Sequence, residues 1–144
     1  MIERIVSLTP SITETIFALG AGHRVVGITD ACDFPPEVHT RPHICSWFDP
    51  DMDRIGKLKP DMVLGLETAH EKLIPVFKTR GIRLELFNPA TVDEVFKDML
   101  SMGVLLDISN EAQALVAGLR KRMAVLDAKV LKIAPDERVT VARV

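Results

Sequence analysis

What most constrains this chain is an alternation of short β-branched stretches with loops of special residues and helical segments. Arg4-Ile5-Val6-Ser7-Leu8 runs into Thr9-Pro10-Ser11, and Val25-Val26-Gly27-Ile28-Thr29 runs into Cys32-Asp33-Phe34-Pro35-Pro36. Met62-Val63-Leu64 follows Leu58-Lys59-Pro60-Asp61, and residues 83–87 alternate with period two. Strands that take turns with helices predict a parallel sheet, because parallel neighbours must be joined by long crossovers. The fold class is therefore α/β. In open α/β sheets, ligands settle at the carboxyl ends of the strands, so the loops after these stretches hold the candidate functional residues.

The elements follow in order. Strands are expected over residues 4–8, 24–29, 62–66 and 83–87, with a further short one near 43–45. Thr9 is the expected N-cap and Pro10 the first residue of a helix with Ile12, Ile16 and Phe17 on its apolar face. Gly20-Ala21-Gly22 closes that helix and precedes a strand; a dinucleotide fingerprint would do the reverse, so it is read as a C-cap and turn. A short helix after Asp49-Pro50-Asp51 turns Met52, Ile55 and Leu58 inward. Another spans roughly 70–80 and ends at Gly81. A helix from Val92 to about Leu106 is capped by Thr91, with Asp93 and Glu94 in its first turn. From Ser109, read as an N-cap, one long helix runs to about Ile133 with an apolar stripe of Ala112, Leu115, Val116, Leu119, Met123, Leu126, Val130 and Ile133. At ~1.5 Å per residue it would be roughly 36 Å long, more than one small lobe needs. Pro135 ends it, and residues 138–144 read as a new strand.

A chain of 144 residues with 47% apolar and 26% charged residues has the make-up of one ordinary globular domain. A net charge of −2 gives no reason to expect nucleic acid. Arg120, Lys121, Arg122, Lys129 and Lys132 are read as the solvated face of the long helix. Cys32 and Cys45 do not make a disulfide framework; a bridge between them is conceivable, and two free, partly buried thiols are the simpler reading. Met1-Ile2-Glu3-Arg4 leads straight into the first strand with no signal-peptide pattern, and no apolar run reaches transmembrane length.

Three motifs in order, Ser7-Leu8-Thr9-Pro10-Ser11-Ile12-Thr13-Glu14, Asp33-Phe34-Pro35-Pro36-Glu37 and Leu58-Lys59-Pro60-Asp61-Met62-Val63-Leu64, resemble the N-terminal lobe of ABC-importer substrate-binding proteins. The resemblance is to the class with a helical backbone between two lobes, which captures cobalamin, ferric siderophores or haem. It covers nearly the whole chain but about half of a typical member. It implies a three-layer α/β/α ligand-binding lobe over residues 1–108, a long interlobe helix over 109–134, and the start of a truncated second lobe over 135–144. A lobe ending in an unpaired strand and a half-covered helix is expected to self-associate through residues 109–144.

The strand ends collect Ser11, Cys32, Ser46-Trp47-Phe48, Glu67 to His70 and Asn88-Pro89 on one rim. Ser11, Cys32, Trp47, Phe48, Glu67 and His70 are the expected ligand-binding residues. The first helix points its N–H groups at the same rim, which suits an anionic group, the alternative being a simply capped helix. Trp47, the one tryptophan, offers a flat ring for stacking; in cobalamin-binding members an aromatic matching it packs on the corrin, and a structural plug is the other reading. Ala31 and Leu66 stand where such members carry further aromatics, so the aromatic cradle is incomplete here. Glu67, His70 and Cys32 could ligate a metal, though no paired spacing supports this, and no metal site or cofactor is assigned. Asp53 matches a family carboxylate that meets permease arginines, and helix capping is the alternative.

No nucleophile elbow, phosphate loop, catalytic carboxylate pair or metal motif is found, so the chain is not read as an enzyme. The reading is a substrate-binding component of an ABC importer that captures a metal chelate, a cobalamin-like corrinoid or a ferric siderophore, and delivers it to permease subunits. The alternative is a cytoplasmic stand-alone corrinoid-binding module. The resemblance implies an extracytoplasmic location, periplasmic or membrane-anchored.

Overall fold

Ile5, Val6, Ser7 and Leu8 alternate between two buried faces, and that alternation builds the molecule outward from its first strand. The computed structural model describes residues 1–44, Ser46 and 49–139. Among them, strands β1 (Ile5–Ser7), β2 (Val25–Gly27), β3 (Met62–Leu66) and β4 (Leu84–Phe87) form one parallel sheet in the order β2-β1-β3-β4. Ile5 lies opposite both Val25 and Met62, and Leu66 lies opposite Phe87. One face carries Ile5, Val25, Met62, Leu64 and Phe87 against α1 (Pro10–Ala18), α5 (Val92–Leu105) and the start of α6 (Ser109–Val130). The other carries Val6, Leu8 and Val63 against Ile55 of α2 (Met52–Lys57) and Phe77 of α4 (Ile74–Thr79). The result is the expected three-layer α/β/α arrangement.

Two expected helix ends form as glycine-closed turns. At Gly20 (φ 81°) the Gly20 N–H donates to the Phe17 carbonyl and that of Ala21 to Ile16; Gly81 (φ 66°) repeats this with Lys78 and Phe77. Both are Schellman closures, in which a left-handed residue satisfies the last carbonyls. Thr91 caps α5 through a full capping box: its Oγ1 accepts from the Glu94 N–H, and Glu94 Oε2 accepts from the N–H groups of Thr91 and Ala90. Those two donors hold the Glu94 carboxyl below its ordinary range.

Four expectations need correction or narrowing. Of the short strand expected near 43–45, the described residues show a bridge between Ile28 and His43, and Pro42 has no N–H to extend that ladder backwards; Cys45 lies outside the described residues. The helix over 70–80 is broken into α3 (Glu67–His70), a 3₁₀ turn (Glu71–Leu73) and α4, since Pro75 can only sit in a first helical turn. Ser109 is the first helical residue of α6 and not its cap. Asp107, at φ 59°, closes α5 with a third Schellman turn, and Ile108 takes the cap position. Finally, α6 ends at Val130, and residues 135–137 form a 3₁₀ turn; residues 140–144 of the expected last strand lie outside the described residues.

The stripe on α6 is used unevenly. Ala112 and Val116 are buried against α5, whereas Val125, Leu126, Val130, Leu131 and Ile133 are exposed. The 22 residues reach roughly 33 Å at ~1.5 Å each, and the buried residues all lie in the first half.

Candidate functional site

The chain leaves β1 toward β2 on one side and returns to β3 on the other. The strand order therefore reverses between β1 and β3. At such a switch point the two outgoing loops diverge and leave a crevice. Here the diverging segments are the Thr9 turn into α1 and the Leu66 turn into α3. Ser11 sits in the first turn of α1 and Glu67 opens α3; both are exposed. These two expected residues face the solvent beside the switch point.

Below the rim lies a layer of hydroxyls. Ser7, Thr9, Thr13, Thr29 and Cys32 are all buried. Thr13 Oγ1 lies 2.8 Å from Ser7 Oγ, 3.0 Å from the Thr9 carbonyl and 3.2 Å from Cys32 Sγ, while Thr29 Oγ1 is 3.4 Å from the same sulfur. This layer fixes the exit of β1 and the start of α1, as buried polar groups do when every member has a partner. Cys32 is a free thiol turned into this layer. Its sulfur contacts Thr13 and Thr29.

His70 is likewise fully buried, with Nδ1 lying 3.1 Å from both the N–H and the carbonyl oxygen of Leu66. The ring fits because position 65 is glycine: a Cβ there would come within 2.9 Å of Nδ1. His70 thus pins the turn that presents Glu67. Trp47 and Phe48 lie outside the described residues. Among the described residues, no three His, Cys, Asp or Glu side chains gather as a metal site. In particular, Glu67, His70 and Cys32 are not brought together: one is on the surface and two are buried in different layers.

Asp53 lies in the first turn of α2. Its Oδ1 accepts from Arg80 Nη1 at 2.7 Å, and both side chains are exposed. The cap of α2 is Asp51, which accepts from the N–H groups of Asp53 and Arg54; the Arg54 N–H above all lowers its carboxyl pKa. Asp53 therefore does not serve as the cap.

Beside Ser11 the rim opens into a small recess of about 60 Å³ between the ends of β3 and β4, α1 and α5. Ile12, Leu66, Phe87, Met99 and Met102 make its walls, and Ser11, Thr15 and Asp98 supply its polar atoms. Asp98 Oδ2 is buried and has no hydrogen-bond partner. Burial, and secondly the nearby Glu94 charge, raise the Asp98 pKa. The sequence reading passed over Asp98. Its signal was a carboxylate set among Val95, Met99 and Met102, at the three- and four-residue spacing of the inner face of α5.

Known proteins share this architecture. The family model described as periplasmic binding protein matches residues 5–143. A vitamin B12-binding protein of Yersinia pestis (strain Pestoides F) is 30% identical over 98 residues, which are 67% of this chain and 35% of that protein. Among solved structures, a possible iron-binding, periplasmic solute-binding protein from Staphylococcus epidermidis ATCC 12228 superposes with a TM-score of 0.84 at 26% identity, covering 93% of this chain and 54% of that one. A periplasmic haem-binding protein from Roseiflexus sp. RS-1, in apo form, gives a TM-score of 0.82 at 29% identity, covering 93% and 52%. The chain spans about half the length of the solved relatives it matches.

Proposed function

The chain belongs to the periplasmic binding protein family, and from that premise we propose that it is the first lobe of a capture protein for a metal chelate, a cobalamin-like corrinoid or a ferric siderophore. In this reading residues 1–108 are the ligand-binding lobe, α6 within 109–134 is the interlobe helix, and residues 135–144 begin a second lobe. The chelate lies against the switch point between β1 and β3, in contact with Ser11, Trp47, Phe48 and Glu67, while Cys32 and His70 hold the rim from beneath. The observation that carries the reading is that crevice: an exposed pair, Ser11 and Glu67, stands on two diverging turns, each braced from below by buried polar contacts. The lobe does no chemistry on its cargo, and it works outside the cytoplasm.

Delivery requires a permease. Asp53 is the proposed contact, and its exposed bond to Arg80 keeps the carboxylate oriented outward. Such an exposed pair is worth little, about 0.2–1 kcal/mol. A permease arginine that binds bidentately replaces it readily.

The test is quenching of Trp47 fluorescence on titration with cyanocobalamin, haem and a ferric siderophore, with Trp47→Phe as the absorbance control. Saturable quenching by one chelate supports capture and names the class. One lobe supplies half of the contacts, so the 144-residue chain binds weakly and a chain extended beyond Val144 binds tightly. No saturable quenching by any chelate with the extended chain refutes the reading.

A further inference from the structure

The recess beside Ser11 is too small for a tetrapyrrole and too polar at one point to be ordinary packing. A water occupies roughly 10–15 Å³ on this measure of volume, so about 60 Å³ holds only a few heavy atoms. A carboxylate oxygen buried without a donor is costly and rare in folded proteins. Asp98 Oδ2 is such an atom; Asp98 lines the recess that opens at the rim where the chelate is expected, and its covered Oδ2 meets an entering group once the carboxylate turns about its Cβ–Cγ bond.

The lining defines the occupant. Asp98, when ionised, only accepts hydrogen bonds, so the entering group must donate. Thr15 spends its hydroxyl proton on the Ser11 carbonyl at 2.8 Å, which leaves its oxygen as a second acceptor. The Ser11 hydroxyl stands at the mouth, 3.5 Å from Thr9 Oγ1, and can donate to a carbonyl. The remaining walls are apolar, which penalises a full positive charge more than a neutral group. A carboxylate would meet Asp98 with like charge. A primary amide donates through its NH₂, accepts through its oxygen, is neutral, and has the right size.

We propose that this recess is a subsite for one primary-amide appendage of the cargo, with Asp98 as the acceptor of its N–H groups. The inference rests on the capture reading and sharpens it. A chelate fringed with carboxamides, as a corrinoid is, gains a contact that a carboxylate-bearing haem lacks. Asp98 is then a specificity-determining residue.

The first experiment needs no chelate. Acetamide and acetate are titrated at neutral pH into the 144-residue chain while the methyl resonances of Met99 and Met102 are followed by NMR. Acetamide should shift both methyls saturably and acetate should not. Asp98→Ala should weaken acetamide at least fivefold. Asp98→Asn keeps an acceptor oxygen and gains a donor, so it should hold acetamide within about twofold and admit acetate. Both variants should fold, because Asp98→Ala removes a buried oxygen that has no partner and Asp98→Asn removes the charge at nearly the same size; dispersed methyl spectra verify this. If the methyls do not respond to acetamide, or respond equally in folded Asp98→Ala, the proposal is wrong. The second experiment compares cyanocobalamin with a derivative in which one peripheral amide is hydrolysed to the acid, using Trp47 quenching on the extended chain. A loss of tenfold or more that Asp98→Asn abolishes supports the subsite; equal affinities overturn its role in cargo choice. If acetamide binds through Asp98 and no chelate quenches Trp47, the capture reading fails and the subsite stands.

Discussion

Gly103 is where α5 and α6 come closest, and replacing it with alanine gives a sharp test of the packing. A Cβ at position 103 would lie 2.3 Å from the Ala112 Cβ, 3.3 Å from the Ile108 carbonyl oxygen and 3.4 Å from the Ser109 Cα. Carbon atoms pack at about 3.5–4.0 Å, so the helices must part by more than ~1 Å. That loosens Met102, Leu106 and Ala112, which share one core. Overpacking costs ~1–3 kcal/mol. Here the upper end applies, because both clashing atoms are tied to backbone and neither can rotate away. Alanine recovers up to ~1 kcal/mol of helix propensity, leaving a net loss of about 1–2 kcal/mol. Ala112→Gly alone should cost about 2 kcal/mol, from propensity and one buried methyl. In the double variant the methyl simply moves to the other helix and the propensities cancel, so stability should return to within ~1 kcal/mol of the parent chain. The two single losses sum to about 3–4 kcal/mol, so the coupling is about 2–4 kcal/mol. Urea unfolding of the four chains, analysed at constant slope, measures it. If Gly103→Ala is as stable as the parent, or the double variant is merely additive, the α5–α6 contact is not as described.

Four further outcomes are expected. Asp107→Gly should raise stability by roughly 0.5–1 kcal/mol in the same assay, because a non-glycine residue at φ 59° is strained and this one is exposed. Thr91→Ala should cost about 1 kcal/mol through loss of the α5 cap. Glu94, Asp51 and Asp61 have carboxyls lowered chiefly by backbone N–H donors. Their stabilisation is complete above the ordinary carboxylate pKa of about 4 and is lost as pH falls through the lowered folded values; acid titration of Glu94→Gln should show a shallower decline than the parent, and an identical slope would contradict this. The exposed second half of α6 should make the 144-residue chain associate with rising concentration in light scattering. Leu126→Glu combined with Leu131→Glu should hold it monomeric, and a monomer at all concentrations in the parent chain would refute that expectation.

Much of the lobe is visible in local chemistry. The apolar stretches at Ile5, Val25, Met62 and Leu84 lie in the observed strands, and Thr9-Pro10, Gly20, Thr91 and Gly81 mark helix ends where they form. Capping, turn geometry and side-chain alternation act over a few residues, so they can be read in one dimension. The motifs at Ser7 to Glu14, Asp33 to Glu37 and Leu58 to Leu64 carried the family, whose model matches residues 5–143.

Contacts between distant segments were not legible. Nothing near Ser109 indicates that Asp107 would turn left-handed and pass α5 directly into α6; that follows from the approach of Gly103 to Ala112. Glu67 and His70 share one turn of the sequence, yet the first faces solvent and the second is buried over Gly65. The sequence by itself determined the alternation, the caps and the strand ends that make a rim, because those depend on neighbours along the chain. The tertiary structure alone decided which rim residues reach solvent, how much of α6 is covered, and that Asp98 meets Ser11 across a recess, because burial and desolvation depend on elements far apart in sequence.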